Sequence, residues 1–137
     1  MTRNGLRILL LLAYIFLIFV ASSIPGLGSP DSRFAMPDKV AHFIEYAILG
    51  GLLFSAIKWQ VSRSRLATLG FLFAVGASIA ALDEIYQSYI PSRSMSEFDW
   101  IADAIGVLVG VGLFVLTPLG RRKRGNTGPT IQAEKGN

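Results

Sequence analysis

The chain has 137 residues, 52% of them hydrophobic and only 16% charged, with a mean hydropathy of +0.51. A soluble domain of this length carries about a quarter charged residues, so lipid is the expected solvent and one domain the expected organisation. A net charge of +4 could suit nucleic acid, but the basic residues flank apolar stretches instead of interleaving with aromatics, and the absence of cysteine excludes disulfides, thiol nucleophiles and Cys-based metal sites.

A spanning helix needs about 20 mostly apolar residues. Leu6 to Ile24 meets that length, with Arg7 near its start and Pro25-Gly26 at its end. Arg3, Arg7, the apolar run and Ala21-Ser22-Ser23 also fit the outline of a cleaved leader; Pro25 at the boundary and three further spans favour a retained helix. Gly28 to Pro37 reads as a loop. The second span runs from about Val40 to Ile57, with Asp38 placed to cap its first turn. Lys58 to Arg65 is a short basic connection. The third span extends from Leu66 to about Tyr89 and is polar in its last two turns. A loop over 91–98 leads to the fourth span, from about Asp99 to Thr117, which Pro118, Gly120 and Arg121 to Arg124 stop. The fold expected is all-α: a four-transmembrane-helix bundle over residues 1–120, with a basic, disordered tail over 121–137.

Orientation follows the basic residues. Ten of the thirteen lie at one side (Arg3, Arg7, the 58–65 connection, Arg121 to Arg124 and Lys135), which makes that side, and both termini, cytoplasmic. Arg33, Lys39 and Arg93 lie opposite, together with every acidic residue except Glu134. The expected location is the inner, cytoplasmic membrane of a bacterium, multi-pass, with its polar residues on the non-cytoplasmic side.

Those polar residues sit at three helix ends. Asp38, His42, Glu45 and Tyr46 share one broad face of the second span; Asp83, Glu84 and Gln87 close the third; Asp99 and Asp103 open the fourth at i and i+4. Ionisable groups at such depth are costly unless they pair, face water or bind something. His42, Glu45, Asp83 and Glu84 are the candidates for proton exchange, His42 acting with Glu45 or Glu84. Lys39, Tyr46, Gln87, Arg93, Asp99 and Asp103 are the candidates for ligand binding, the Arg93 guanidinium suiting phosphate or carboxylate. Several carboxylates around one imidazole also suit a hard divalent cation. Plainer readings stand beside these: Asp38, Lys39 and Asp99 as helix-start residues, Glu97 as a solvated loop acid, and Ser92, Ser94 and Ser96 as loop-solubilising residues. Small residues at Ala102, Gly106 and Gly110 form a close-packing face that could also support a homo-oligomer, and Gly50-Gly51 and Gly70, Ala74, Ser78 can act similarly. Trp59 and Trp100 fit interfacial anchors.

The stretches Asp38-Lys39-x-x-His42-Phe43-x-Glu45-Tyr46-x-x-Leu49-Gly50, Asp83-Glu84-x-x-Gln87, Pro91-x-Arg93 and Asp99-x-x-x-Asp103-x-x-Gly106-x-x-x-Gly110 resemble the VanZ-like family of small bacterial membrane proteins. The resemblance covers roughly residues 6 to 117, in order. That family commonly carries Asn where this chain has Asp103, which adds a negative charge here. Its namesake is associated with resistance to the glycopeptide teicoplanin.

Two functions are therefore expected to compete. One is a membrane-embedded enzyme or binding protein for a membrane lipid or lipid-linked cell-envelope precursor. The other is a non-enzymatic accessory subunit whose polar cluster locks the helices. No nucleophile elbow, zincin, P-loop or dinucleotide motif is present, and the two halves show no inverted repeat that would suggest a transporter.

Overall fold

The computed structural model describes residues 2–25, 36–57, 64–93 and 95–116, with residues 36–38 described as backbone alone. The loop before the second span with Arg33, the basic connection with Lys58, Trp59 and Arg63, Ser94, and the tail from 117 onward lie outside these. The described residues form four helices and no strand: α1 (Arg3–Ser22), α2 (Met36–Ile57), α3 (Arg65–Gln87) and α4 (Glu97–Leu116). Each is long and apolar enough to cross a membrane.

Three helix starts are set by local chemistry. Thr2 and Ser64 accept amide hydrogen bonds from Gly5 and Ala67 at the heads of α1 and α3. Ser96 does the same for Asp99 at the head of α4. Glu97 is consequently an exposed residue of the first turn of α4 and not a loop acid. The second span also begins earlier than expected. The helix starts at Met36, so Asp38 lies inside its first turn instead of capping it. Proline is tolerated in a first turn, whose amides lack intrahelical partners anyway, so Pro37 belongs to the helix it was expected to precede.

The helices alternate in direction, and α2 and α4 run parallel as the most intimate pair. Glycine makes that intimacy possible. A Cβ on Gly106 would sit 2.4 Å from the Phe43 carbonyl oxygen, one on Gly110 2.0 Å from that of Ala47, and one on Gly50 2.6 Å from that of Val107. The face expected to serve a homo-oligomer is thus filled at Gly106 and Gly110 by α2 of the same chain. The Gly70, Ala74, Ser78 face packs differently from expectation: Gly70 looks into open space, while Ala74 and Ser78 are exposed. It is Gly76 that receives Val107 from α4. Leu49, Leu53, Leu72, Val107 and Val111 fill the seam, and large apolar side chains such as Phe16, Leu66 and Leu113 point outward, as lipid-facing residues do. Trp100 donates its indole N–H to the Ala77 carbonyl at 3.3 Å, tying α4 to α3.

Candidate functional site

The parallel register of α2 and α4 that glycine permits continues to the polar end of the bundle. There Lys39 meets Asp99 in an ion pair, and one turn deeper His42 Nδ1 lies 3.0 Å from Asp103 Oδ1. The imidazole thus lies within hydrogen-bond reach of Asp103, a carboxylate expected from sequence among the ligand-binding residues. Asp103 is fully buried and Lys39 and His42 mostly so.

The third wall is the end of α3. Glu84, 3% exposed, accepts a hydrogen bond through Oε2 from the Ser96 amide at 2.8 Å. Ser96 therefore has two jobs: its side chain starts α4 and its backbone fixes Glu84. The signal for it was present as Ser96-Glu97-Phe98-Asp99, a serine three residues before an acid at a helix start. One ligating atom each from His42, Glu84 and Asp103 lie within 4.8 Å of one another.

Tyr46 is fully buried beside these groups, within electrostatic reach of Asp83, Asp103, Glu45 and Glu84. Glu45 is half-buried and feels the charges of His42, Asp83, Asp103 and Arg93; its backbone carbonyl accepts from Tyr14 of α1 at 3.1 Å. Arg93 arrives through the tight connection after α3, in which Ser92 adopts a left-handed φ of 68°. All ten candidate side chains thus gather at one end of the bundle.

Polar groups on the α1 side are joined differently. Gln87 donates to Asp83 Oδ2 at 2.9 Å and to Ser22 Oγ at 3.3 Å. Ser23 and Tyr86 share a hydrogen bond of 2.8 Å, and the Tyr86 ring packs against Phe19. Ser22, Ser23 and Tyr86 escaped the sequence reading because serine at a span end and tyrosine near an interface are ordinary there.

The central groups are not closed in this way. Tyr46 OH, Asp83 Oδ1, Glu84 Oε1, Arg93 Nε and Asp103 Oδ2 are buried with no hydrogen-bond partner among the described residues. A buried polar atom left unpaired costs about 1–3 kcal/mol, so five in one place call for a ligand or bound water. The chemistry on offer is proton exchange at His42 and the carboxylates, a guanidinium donor at Arg93, and a nitrogen-and-oxygen donor set for a cation.

No curated protein and no solved structure matches the chain. The family described as VanZ/LLP1 matches residues 7–118. Since that match takes in all four spans save the first turn of α1, together with every residue of the polar end, this multi-pass membrane protein belongs to the VanZ-like family.

Proposed function

We propose that the polar end of this VanZ-like protein binds or acts on a lipid-linked or cell-envelope ligand. On this reading the chain lies in the inner membrane with both termini cytoplasmic and the cluster at the opposite face, as the distribution of basic residues favours. The observation that carries the proposal is the set of five buried polar atoms without partners among the described residues. A network present only to hold helices together gains by pairing such atoms; a binding site keeps them for its ligand. Arg93 supplies a planar donor for a phosphate or carboxylate headgroup, while Lys39 is committed to Asp99. His42 and Asp103 form the proton-exchanging pair, with Glu84 beside them.

One observation favours a structural role for part of the cluster. The Asp83–Gln87–Ser22 chain joins α3 to α1 and serves packing. The two roles separate in one experiment, native mass spectrometry of the protein extracted with its surrounding lipid. Wild type should retain a lipid-linked species that His42→Ala, Glu84→Gln and Arg93→Ala lose while keeping normal abundance. Variants that lose abundance, with no ligand distinguishing wild type, would favour the accessory-subunit reading. Resistance of the teicoplanin type is the phenotype suggested by the family. Expression in a susceptible host should raise the inhibitory concentration for wild type and not for His42→Ala, and equal values would remove that phenotype from the proposal.

A further inference from the structure

We propose that His42, Glu84 and Asp103 form a binding site for one divalent transition cation, of the Mn²⁺ or Zn²⁺ type. The site is built from three helices: His42 from α2, Glu84 from α3 and Asp103 from α4. One donor atom from each lies within 4.8 Å of the other two. Metal–ligand bonds of about 2.1 Å place neighbouring donors about 3.0–3.4 Å apart. His42 Nδ1 and Asp103 Oδ1 already have that spacing at 3.0 Å, and Glu84 closes the triangle with a side-chain movement of about 1–2 Å.

A second observation is independent of that convergence. Glu84 is 3% exposed and Asp103 0%, and each keeps one carboxylate oxygen, Oε1 and Oδ2, without a partner among the described residues. The other oxygen of Glu84 is held by the Ser96 amide, which is the pattern of a ligating carboxylate oriented by its supporting hydrogen bond. The contact of His42 Nδ1 with Asp103 Oδ1 is a hydrogen bond in the ion-free site that the ion would replace, with release of the shared proton.

Charge points the same way. Among the described side chains at this end six carboxylates (Glu45, Asp83, Glu84, Glu97, Asp99, Asp103) accompany two cations, Lys39 and Arg93, and Lys39 is paired with Asp99. Two carboxylates held in a low-dielectric bundle are stabilised by a divalent ion between them. The imidazole nitrogen selects against Mg²⁺ and Ca²⁺, which take oxygen donors, and the two carboxylates select against the soft cations that thiolates hold. Three protein ligands leave a coordination position open, as in catalytic metal sites. The inference stands on these donors whether or not the cluster takes a lipid-linked ligand.

The test uses the full chain purified through a histidine-free affinity tag, stripped with chelator and titrated with Mn²⁺ alone and with Zn²⁺ alone. Wild type should retain about one ion per chain, and bound Mn²⁺ should show electron-spin-echo modulation from an imidazole nitrogen. The sequence has a single histidine, so that signal can arise only from His42. Glu84→Gln and Asp103→Asn should weaken binding at least about tenfold, the lower range for disturbing a metal site, while Glu97→Gln should not. Helical circular dichroism and a monodisperse elution peak establish that each variant is folded. Should either fail to fold, the nitrogen signal of wild type decides alone. Failure of wild type to hold either ion stoichiometrically, Mn²⁺ bound without nitrogen coupling, or folded variants binding as tightly as wild type would overturn the site. None of these outcomes bears on the lipid-linked species sought by mass spectrometry, so the two proposals fail separately.

Discussion

At the same end of the bundle, polar side chains meet in two different ways. Where α1 touches α3, Ser22, Ser23, Tyr86 and Gln87 find partners in one another or in Asp83. Where α2, α3 and α4 enclose His42, each of Tyr46, Glu84 and Asp103 keeps a buried atom unpaired among the described residues. Asp83 belongs to both regions, with Oδ2 held by Gln87 and Oδ1 without a partner among the described residues. The difference separates polarity that holds a fold from polarity kept in reserve. A closed network contributes stability when intact, whereas an open one costs stability until something fills it. Replacing polar side chains should therefore lower stability on the closed side and leave it unchanged or raise it on the open side.

The largest effect is expected from separating the open region's own walls. Gly110→Val places a side chain against the Ala47 backbone, where even a Cβ would lie 2.0 Å from the carbonyl oxygen. The loss should reach about 3 kcal/mol, the upper part of the range for overpacking, measured by unfolding in mixed micelles. The α1–α3 hydrogen bonds should outlast the α2–α4 contact in hydrogen exchange. Gln87→Ala comes next. It leaves Asp83 and Ser22 without their shared donor and should cost about 1–2 kcal/mol, near the top of the range for polar contacts in membranes. Tyr86→Phe removes only the hydroxyl bonded to Ser23 and should cost about 0.6 kcal/mol, the average for such contacts. Tyr46→Phe is the smallest and the most informative. Its hydroxyl has no partner among the described residues, so its removal should leave stability within about 0.5 kcal/mol or increase it. A loss comparable to that of Gln87→Ala would erase the distinction between the two regions.

How much of this could be read from sequence depended on whether the information was local. Four spans were legible because length and apolar content are properties of a window. The gathering of polar residues at three helix ends was legible because alternating spans return every second end to the same side. Helix starts were partly lost. Pro37 looked like punctuation but serves as a first-turn residue, and Ser96 looked like loop filler although its spacing from Asp99 is that of a cap. The pairings were not legible. Lys39 and His42 are three apart on α2, and Asp99 and Asp103 four apart on α4, but neither spacing says which acid faces which base. That is settled by the register of α2 on α4, which depends on how closely Gly50, Gly106 and Gly110 let the backbones approach. The same applies to Gly70 and Gly76: both are small residues on α3, and only the neighbour opposite makes one a contact and the other open surface. The unpaired atoms lay furthest from sequence, since satisfaction is a property of the assembled site.

The central claim is that the region around His42 is reserved for a ligand and is not a lock for the helices. The most direct test is the unfolding free energy of ligand-stripped, chelator-treated protein, wild type against the combined variant Tyr46→Phe, Glu84→Gln, Asp103→Asn. The substitutions remove a hydroxyl without a partner among the described residues and two buried acidic groups, while Asn and Gln keep an oxygen to accept from His42 and the Ser96 amide, so the variant should be as stable as wild type or more stable. A variant less stable by more than about 2 kcal/mol, beyond what one membrane hydrogen bond contributes, would show that these side chains hold the bundle together, and would contradict the account.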